Sequence, residues 1–188
     1  MVKNDMRKVL NEINISEEKF IKAWRDIWLK VDVTPYKFAE YLCRINNRDD
    51  PNCYRELSKI ISLPLEKIKV FSDVIPCLER IKSKGIYTIT ISDCGPDVVR
   101  YIHHLNLDLY FEKCFFSFEE GKTKETGLYN RALQVLCVEP STITMIGNDY
   151  KRDYLIPKRL GINPILINRE SKRGDSNTLT KVLESLGI

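Results

Sequence analysis

The stretch Ile86-Tyr-Thr-Ile-Thr-Ile-Ser-Asp-Cys-Gly95 decides the fold of this chain of 188 residues. Its first six residues are mostly β-branched or aromatic, which is typical of a β-strand, and a small polar loop follows at once. Further short strands are predicted at 114–117, 142–146 and 164–167, with helical segments between them. Strands separated by single helices favour parallel pairing with right-handed crossovers. Residues 71–188 therefore predict a doubly wound α/β sheet.

The first 70 residues have a different character, because their apolar residues recur at helical spacing. One helix is predicted over residues 20–31, and two more begin at Pro35 and at about Pro51. Proline is tolerated at the first position of a helix because its missing N–H would have no partner there. We therefore divide the chain into a helical region, residues 1–70, and an α/β region, residues 71–188.

Composition and charge exclude several classes of protein. The chain has 30 Lys and Arg against 26 Asp and Glu, a formal net charge of +4, and 43% hydrophobic residues. This apolar content is too high for a disordered protein, and no apolar run approaches the roughly 20 residues of a membrane-spanning helix. Basic residues alternate with acidic ones instead of gathering on one face, so we expect no nucleic-acid or membrane partner. The six cysteines show no paired spacing and no secretory signal is present, which favours reduced thiols in a cytoplasmic protein.

Polar side chains follow two of the predicted strands, and two lysines lie between them in sequence. These residues are Ser92, Asp93, Lys122, Lys124, Asn148, Asp149 and Asp153. Ligands of an open parallel sheet bind beyond the carboxyl ends of its strands, so these groups are expected at one edge of the sheet. A hydroxyl and an ammonium group neutralise a phosphate, and Asp and Asn oxygens suit Mg²⁺. Together they indicate phosphoryl-transfer chemistry.

These residues, in this order, resemble the motifs of the haloacid dehalogenase (HAD) superfamily. Tyr87-Thr-Ile-Thr-Ile-Ser92 is similar to its strand ending in Ser or Thr, and Lys124, or less well Lys122, to its lysine ahead of a helix. Met145-Ile-Gly-Asn-Asp-Tyr-Lys-Arg-Asp153 is similar to its strand followed by an acidic pattern. The resemblance covers residues 71–170. It implies a HAD-like Rossmannoid parallel sheet with an α-helical cap, the cap being the region 1–70.

The resemblance also implies roles for the polar residues. Ser92 would hydrogen-bond the phosphoryl group with Asp93 beside it, and Lys124 would neutralise charge on the nucleophile and the phosphate. The Mg²⁺ ligands would be Asn148, Asp149 and Asp153. The substrate class is then a small phosphorylated metabolite, with the cap setting its identity and the oligomeric state left open. Two departures stand out: Asn148 replaces the family's more frequent Asp, and Glu125 replaces the Pro that commonly follows the lysine, which leaves Lys122 and Lys124 as alternatives.

The largest departure is that no Asp-x-Asp occurs among the 188 residues. Members of the family begin with a strand that ends in this motif, and its first Asp attacks phosphorus. The nearest imitation, Lys30-Val-Asp32, is interpreted as the junction of two cap helices. That strand would be central in the sheet, so its loss leaves unpaired backbone groups on both neighbours. Three explanations are open: an N-terminal truncation whose flanking strands pair directly, a strand from another chain, or some of residues 1–15, for example 9–15, filling the gap.

Each candidate residue also has a purely structural interpretation. Ser92 could cap the following helix, the lysines could be solvated, and Asp149 and Asp153 could cap the helix near residue 154. We therefore carry two hypotheses. The first is a HAD-like phosphohydrolase-type protein, inactive or incomplete because the nucleophile is absent. The second is a non-catalytic module that binds a phosphorylated ligand or another protein. A third, a dehalogenase-like member without a metal, also requires the missing Asp.

Overall fold

The computed structural model describes residues 4–62, 64–169 and 174–188. They form two compact units. The helical unit contains the described residues up to Lys69, together with Asp93–Asn106 and Phe116–Lys122. The strand unit contains Val70–Ser92, Leu107–Phe115 and the described residues from Thr123 onward. The division at residue 70 into a cap and a core stays a prediction.

The regular elements alternate after residue 70 as the sequence predicts. The helices are α1 (Asn4–Glu12), α2 (Glu17–Ala23), α3 (Pro35–Arg44), α4 (Pro51–Ile61), α5 (Val74–Ser83), α6 (Asp97–His104), α7 (Ser117–Glu120), α8 (Leu128–Leu136), α9 (Ile156–Arg159) and α10 (Leu179–Ser185). The strands are β1 (Ile89–Ser92), β2 (Lys113–Phe116), β3 (Thr144–Gly147) and β4 (Asn163–Leu166). All four predicted strands are present. No helix among the described residues is both long enough and apolar enough to cross a bilayer.

Helix starts in the helical unit follow from local hydrogen bonding. Ser16, Thr34 and Asp50 each accept a backbone N–H of the following turn through a side-chain oxygen, at 3.3, 3.2 and 2.9 Å. Such caps satisfy donors that a helix leaves without a partner. The helix predicted over 20–31 begins as α2 and then widens into a π-helical turn, Trp24–Trp28.

An aromatic cluster forms the core of the helical unit. The Phe38 ring is fully buried, and its centroid lies 5.9 Å from that of Trp24 and 5.3 Å from that of Trp28. Phe20 approaches the same ring edge-on at 6.3 Å. Edge-to-face and tilted contacts of this kind add to the free energy of burial. The cluster therefore joins α2, the π-helical turn and α3.

The strand unit contains two separate pairs of strands. β3 and β4 are parallel, with Thr144 opposite Asn163 and Gly147 opposite Leu166. β1 pairs with β2. Helix α8 packs on this second pair, because its Leu128 and Ala132 bury against Phe115 of β2 and against the apolar residues of β1. The arrangement is the mixed α/β Rossmannoid type predicted from the sequence, with a helical cap.

The gap predicted at the centre of the sheet is visible in the pairing. Among residues 4–62, 64–169 and 174–188, β1 has β2 as its strand partner, β3 has β4, and no strand joins the two pairs. All four residues of β1 are only partly buried. Among the described residues, β1 therefore does not pair directly with β3. Residues 9–15 do not supply a strand either, since they belong to α1 and the turn after it.

A buried carboxylate fastens the ends of the strand unit together. Asp73 Oδ2 accepts hydrogen bonds from Arg169 Nη1 at 3.0 Å and from the Leu179 backbone N–H at 2.8 Å. Burial by itself raises the pKa of Asp73, but these hydrogen bonds outweigh burial, and the pKa lies below its ordinary value. Arg169 also stacks over the Phe71 ring, 4.1 Å from its centroid. The start of α5, the segment after β4 and the start of α10 are thus held at one point.

Phe38→Ala is expected to lower the free energy of unfolding by about 3–5 kcal/mol, because the substitution removes a buried ring and leaves a cavity. Denaturant unfolding followed by tryptophan fluorescence measures the change, since Trp24 and Trp28 contact the ring. Tyr41→Ala is the matched control on the same helix. Its side chain is 41% exposed, and we expect a change within about 0.5 kcal/mol. Equal losses for the two variants would contradict the assignment of Phe38 to the core.

Candidate functional site

Asp153 organises the loop that follows β3. Its carboxylate is 4% exposed, and Oδ2 accepts the backbone N–H groups of Asn148 and Asp149, both at 3.0 Å. The residue lies in a π-helical segment, Tyr150–Leu155, which leads into α9. Gly147 makes this approach feasible, since a Cβ at that position would lie 2.5 Å from atoms of the Asp153 side chain. A glycine at the end of β3 is therefore required by the position of Asp153.

Lys124 is the lysine that joins this group. Its Nζ lies 2.6 Å from Asp153 Oδ1, and the two side chains are 10% and 6% exposed. A buried ion pair of this kind stabilises only when its remaining polar atoms also have partners, and the two backbone N–H groups on Oδ2 supply that. Lys122, by contrast, is exposed. The geometry favours Lys124 over Lys122 as the motif lysine.

Asp149 has a different set of partners. Its Oδ1 accepts the backbone N–H of Arg152 at 2.8 Å, so the residue caps the π-helical segment. Its Oδ2 accepts Nη2 of the Arg152 guanidinium at 2.7 Å and Nε at 3.0 Å. The hydrogen bonds from Arg152 hold the pKa of Asp149 below its ordinary value, against the opposing effect of burial. Asp149 therefore acts as a helix cap, as its structural interpretation predicted. Asp153 lies inside the helical segment and is not its cap.

These contacts decide how well the predicted magnesium ligands fit a cation. Asp153 is engaged by Lys124 and two amides, and Asp149 is engaged by Arg152. Asn148 is exposed but offers only a neutral amide oxygen. In the part of the chain that the structure describes, no group of three or more His, Cys, Asp or Glu side chains could hold a metal ion. Since Mg²⁺ needs carboxylate oxygens in near-octahedral geometry, this donor set does not fit it as arranged.

Ser92 and Asp93 lie at the carboxyl end of β1, in the other pair of strands. Ser92 is the last residue of β1 and is partly buried. The N-cap position of α6 is Pro96, which makes no side-chain cap.

Within the helical unit, Gly95 lies against the Trp28 indole, and a Cβ at that position would lie 2.1 Å from ring atoms. The loop after Asp93 is also fixed by Ser117, whose Oγ accepts the Cys94 N–H at 3.0 Å and donates to the Cys94 carbonyl at 3.1 Å. The loop that follows Ser92 is thus shaped by a tryptophan from the N-terminal helices and by a buried serine. Neither contact could be predicted from the sequence, since both join segments distant along the chain.

The sequence also gave no role to Arg152 or Tyr129. Tyr129 is buried on α8 and donates its hydroxyl hydrogen to the Arg152 carbonyl at 3.0 Å, which ties α8 to the π-helical segment. The turn before α8 is closed by Thr126, whose Oγ1 accepts the Thr123 N–H at 2.8 Å. Of the contacts made by these residues, only the pair of Arg152 with Asp149 is indicated by the sequence. Arg152 stands three residues after Asp149, a spacing at which an Asp–Arg pair forms on a helix.

Comparison with known proteins places the chain in a family. The profile of the haloacid dehalogenase-like hydrolases matches residues 3–167, so the chain belongs to the haloacid dehalogenase-like hydrolase family. No curated protein matches the chain.

Solved structures of the family share the fold. A HAD phosphatase from Thermococcus onnurineus has a TM-score of 0.65 at 21% identity, with 97% of this chain and 86% of that chain covered. A 2-haloacid dehalogenase from Pseudomonas syringae has the same TM-score at 16% identity, with 97% and 87% covered. A HAD family enzyme from Bacteroides thetaiotaomicron, solved with magnesium and inorganic phosphate, has a TM-score of 0.62 at 15% identity, with 91% and 89% covered.

Asp153→Asn is expected to lower the free energy of unfolding by about 3–5 kcal/mol, because it leaves the Lys124 ammonium buried without its anion. The matched control is Glu125→Gln, which removes the ion pair between Glu125 and Lys151 that joins the same two segments at the surface. Those side chains are 46% and 70% exposed, and exposed pairs contribute about 0–1 kcal/mol. Denaturant unfolding of both variants is the measurement. Similar losses of unfolding free energy for the two variants would show that burial of the Lys124–Asp153 pair adds nothing to stability.

Proposed function

We propose that this chain binds a small phosphorylated compound at the carboxyl ends of β1 and β3, as a HAD-type phosphohydrolase does. The observation that carries the proposal is the buried pair of Lys124 and Asp153 beside the loop after β3. Asp153 fixes the ammonium group at the end of the sheet where ligands of such folds bind. Ser92, at the end of β1 in the same unit, would complete the phosphate contacts, and a role for the next residue, Asp93, stays a prediction. Family membership supports this ligand class, and the cytoplasmic location inferred from the cysteines stays a prediction.

We further propose that these 188 residues bind phosphate esters without hydrolysing them. Covalent aspartyl-phosphate chemistry, which the resemblance implies, needs a free carboxylate as nucleophile, and the sequence contains no Asp-x-Asp. The nearby carboxylates of Asp149 and Asp153 are held by Arg152 and Lys124, so they are poor replacements. Lys124 neutralises ligand charge and Ser92 donates a hydrogen bond. Neither residue breaks a P–O bond.

The proposal assigns no role to Mg²⁺. The structure from Bacteroides thetaiotaomicron holds magnesium and phosphate, and the resemblance assigns the metal to Asn148, Asp149 and Asp153. On this chain those two carboxylates are engaged by cationic side chains. We therefore assign phosphate binding to the hydroxyl and ammonium groups.

The proposal is tested with the full chain, inorganic phosphate and p-nitrophenyl phosphate. Calorimetry should detect phosphate binding, and Lys124→Met should weaken it roughly 10–100-fold, since a hydrogen bond to a charged group contributes about 1.5–3 kcal/mol. Lys122→Met is the matched control and should leave the affinity unchanged. Ser92→Ala, a smaller change, provides a second variant should Lys124→Met fail to fold, and it should weaken binding several-fold.

Two results would overturn the proposal. Hydrolysis of p-nitrophenyl phosphate above the rate without protein, lost in Lys124→Met, would show that the chain is catalytic as it stands. Absence of phosphate binding to the folded wild-type protein would show that the site has another use.

Asn148→Asp is expected to give the loop a measurable Mg²⁺ affinity that the wild type lacks, because a carboxylate replaces a neutral amide at the exposed position of the loop. Calorimetric titration of the wild type and the variant with MgCl₂ measures this change. Asn168→Asp, at a position after β4 in the same unit, is the control for added negative charge. Equal affinities for all three proteins would show that residue 148 does not face a cation site.

A further inference from the structure

Two cysteines of the helical unit lie in contact. Cys43, in the last turn of α3, and Cys53, in the first turn of α4, have sulfur atoms 3.3 Å apart. Their side chains are 0% and 6% exposed. Both are reduced. None of the residues assigned to phosphate binding takes part in this contact, and it does not depend on the proposed function.

The connection between the two helices holds the sulfurs in this position. The backbone N–H groups of Asn46 and Arg48 both donate to the Cys43 carbonyl at 3.0 Å, which closes the end of α3. The Tyr54 hydroxyl donates to Asp49 in the same connection. Asp50 caps the start of α4, because its side-chain Oδ1 accepts the backbone N–H of Asn52. The ends of both helices are therefore fixed, which keeps the two cysteine residues next to each other.

A disulfide between them needs little movement. The S–S bond is about 2.05 Å long, so the sulfurs must approach by roughly 1.3 Å from their 3.3 Å separation. Rotation about the side-chain bonds of two cysteines covers such a distance. By comparison, the Cys77 sulfur of the strand unit faces the Thr180 hydroxyl at 3.8 Å, a contact that offers no such chemistry.

We propose that Cys43 and Cys53 form a reversible disulfide when the protein meets a hydroperoxide. Cys53 reacts first because it is the thiol with some exposure. Its sulfur attacks one peroxide oxygen, the O–O bond breaks, and with hydrogen peroxide a sulfenic acid and one water result. The Cys43 sulfur then attacks the Cys53 sulfur, the S–O bond breaks, and its OH leaves with the Cys43 proton as a second water. Each sulfur loses one electron and the peroxide gains both.

The environment of Cys43 slows the second of these steps. Burial, and then the S–H contact with Cys53, raise the pKa of Cys43 to about 12. At neutral pH the thiol therefore keeps its proton until that proton leaves with the hydroxyl of the sulfenic acid. The reaction should be slow in the native protein and should need an excess of peroxide, since the thiolate is the reactive form.

The full chain treated with hydrogen peroxide and then alkylated under denaturing conditions tests the proposal. Tryptic digestion should release peptides 38–44 and 49–55 as one disulfide-linked species, and dithiothreitol should separate them. The oxidised protein should melt about 5 °C higher than the reduced one, because the bond restrains the unfolded chain. Cys53→Ala should abolish both effects, whereas Cys137→Ala, at an exposed cysteine, should retain them.

Contrary results are equally clear. The proposal would be overturned if peptides 38–44 and 49–55 were recovered only as separate alkylated species while other cysteines were oxidised. An increase in Tm that persists in Cys53→Ala would overturn it as well. The peptide map of the wild type decides the matter even if that variant does not fold.

Discussion

The loop after β3 depends on the carboxylate of Asp153. Its two oxygens receive two backbone N–H groups and the Lys124 ammonium, so one buried side chain fixes the loop, the start of the π-helical segment and the lysine ahead of α8. Each of these groups would cost free energy if it were buried without a partner. Together they form a network in which each of these polar groups has a hydrogen-bond partner. The requirement for glycine at position 147 follows from the same contact, because a side chain there would occupy the space of the Asp153 carboxylate.

The sheet imposes the second constraint. A strand in the middle of a parallel sheet uses both of its edges, and here β1 and β3 each use one edge among the residues described. The N–H and C=O groups on the other edges need water or a further partner, since buried backbone groups are almost always paired. The partial exposure of every β1 residue agrees with a strand that solvent can reach. The resemblance relates these edges to the strand that carries Asp-x-Asp in other members, a motif that this sequence does not contain.

Periodicity and capping residues made most of the fold predictable. Thr34-Pro35 and Asp50-Pro51 begin helices because an oxygen side chain followed by proline suits the first turn, and the β-branched runs became β1 and β3. The site was less predictable. Alternation of strands and loops identified Asn148, Asp149 and Asp153, but spacing alone did not show that Arg152 binds Asp149 or that Lys124 binds Asp153. The widened turns at Trp24–Trp28 and Tyr150–Leu155 were also missed, because the apolar pattern of a π-helical turn resembles that of an α-helix over so short a length.

The charges around the loop also explain why an anion suits this site better than a cation. Asp153 is neutralised by Lys124 and Asp149 by Arg152, and Asn148 adds no charge. A divalent cation would have to displace one of these basic groups, and in the case of Lys124 it would leave an ammonium buried without its partner. A phosphate ester needs no such displacement, because the Lys124 ammonium has three N–H donors and can keep one on Asp153 while another binds the ligand. The proposed phosphate binding therefore relies on the ammonium group of Lys124, and the position where the resemblance expects a metal-binding carboxylate holds the neutral amide of Asn148.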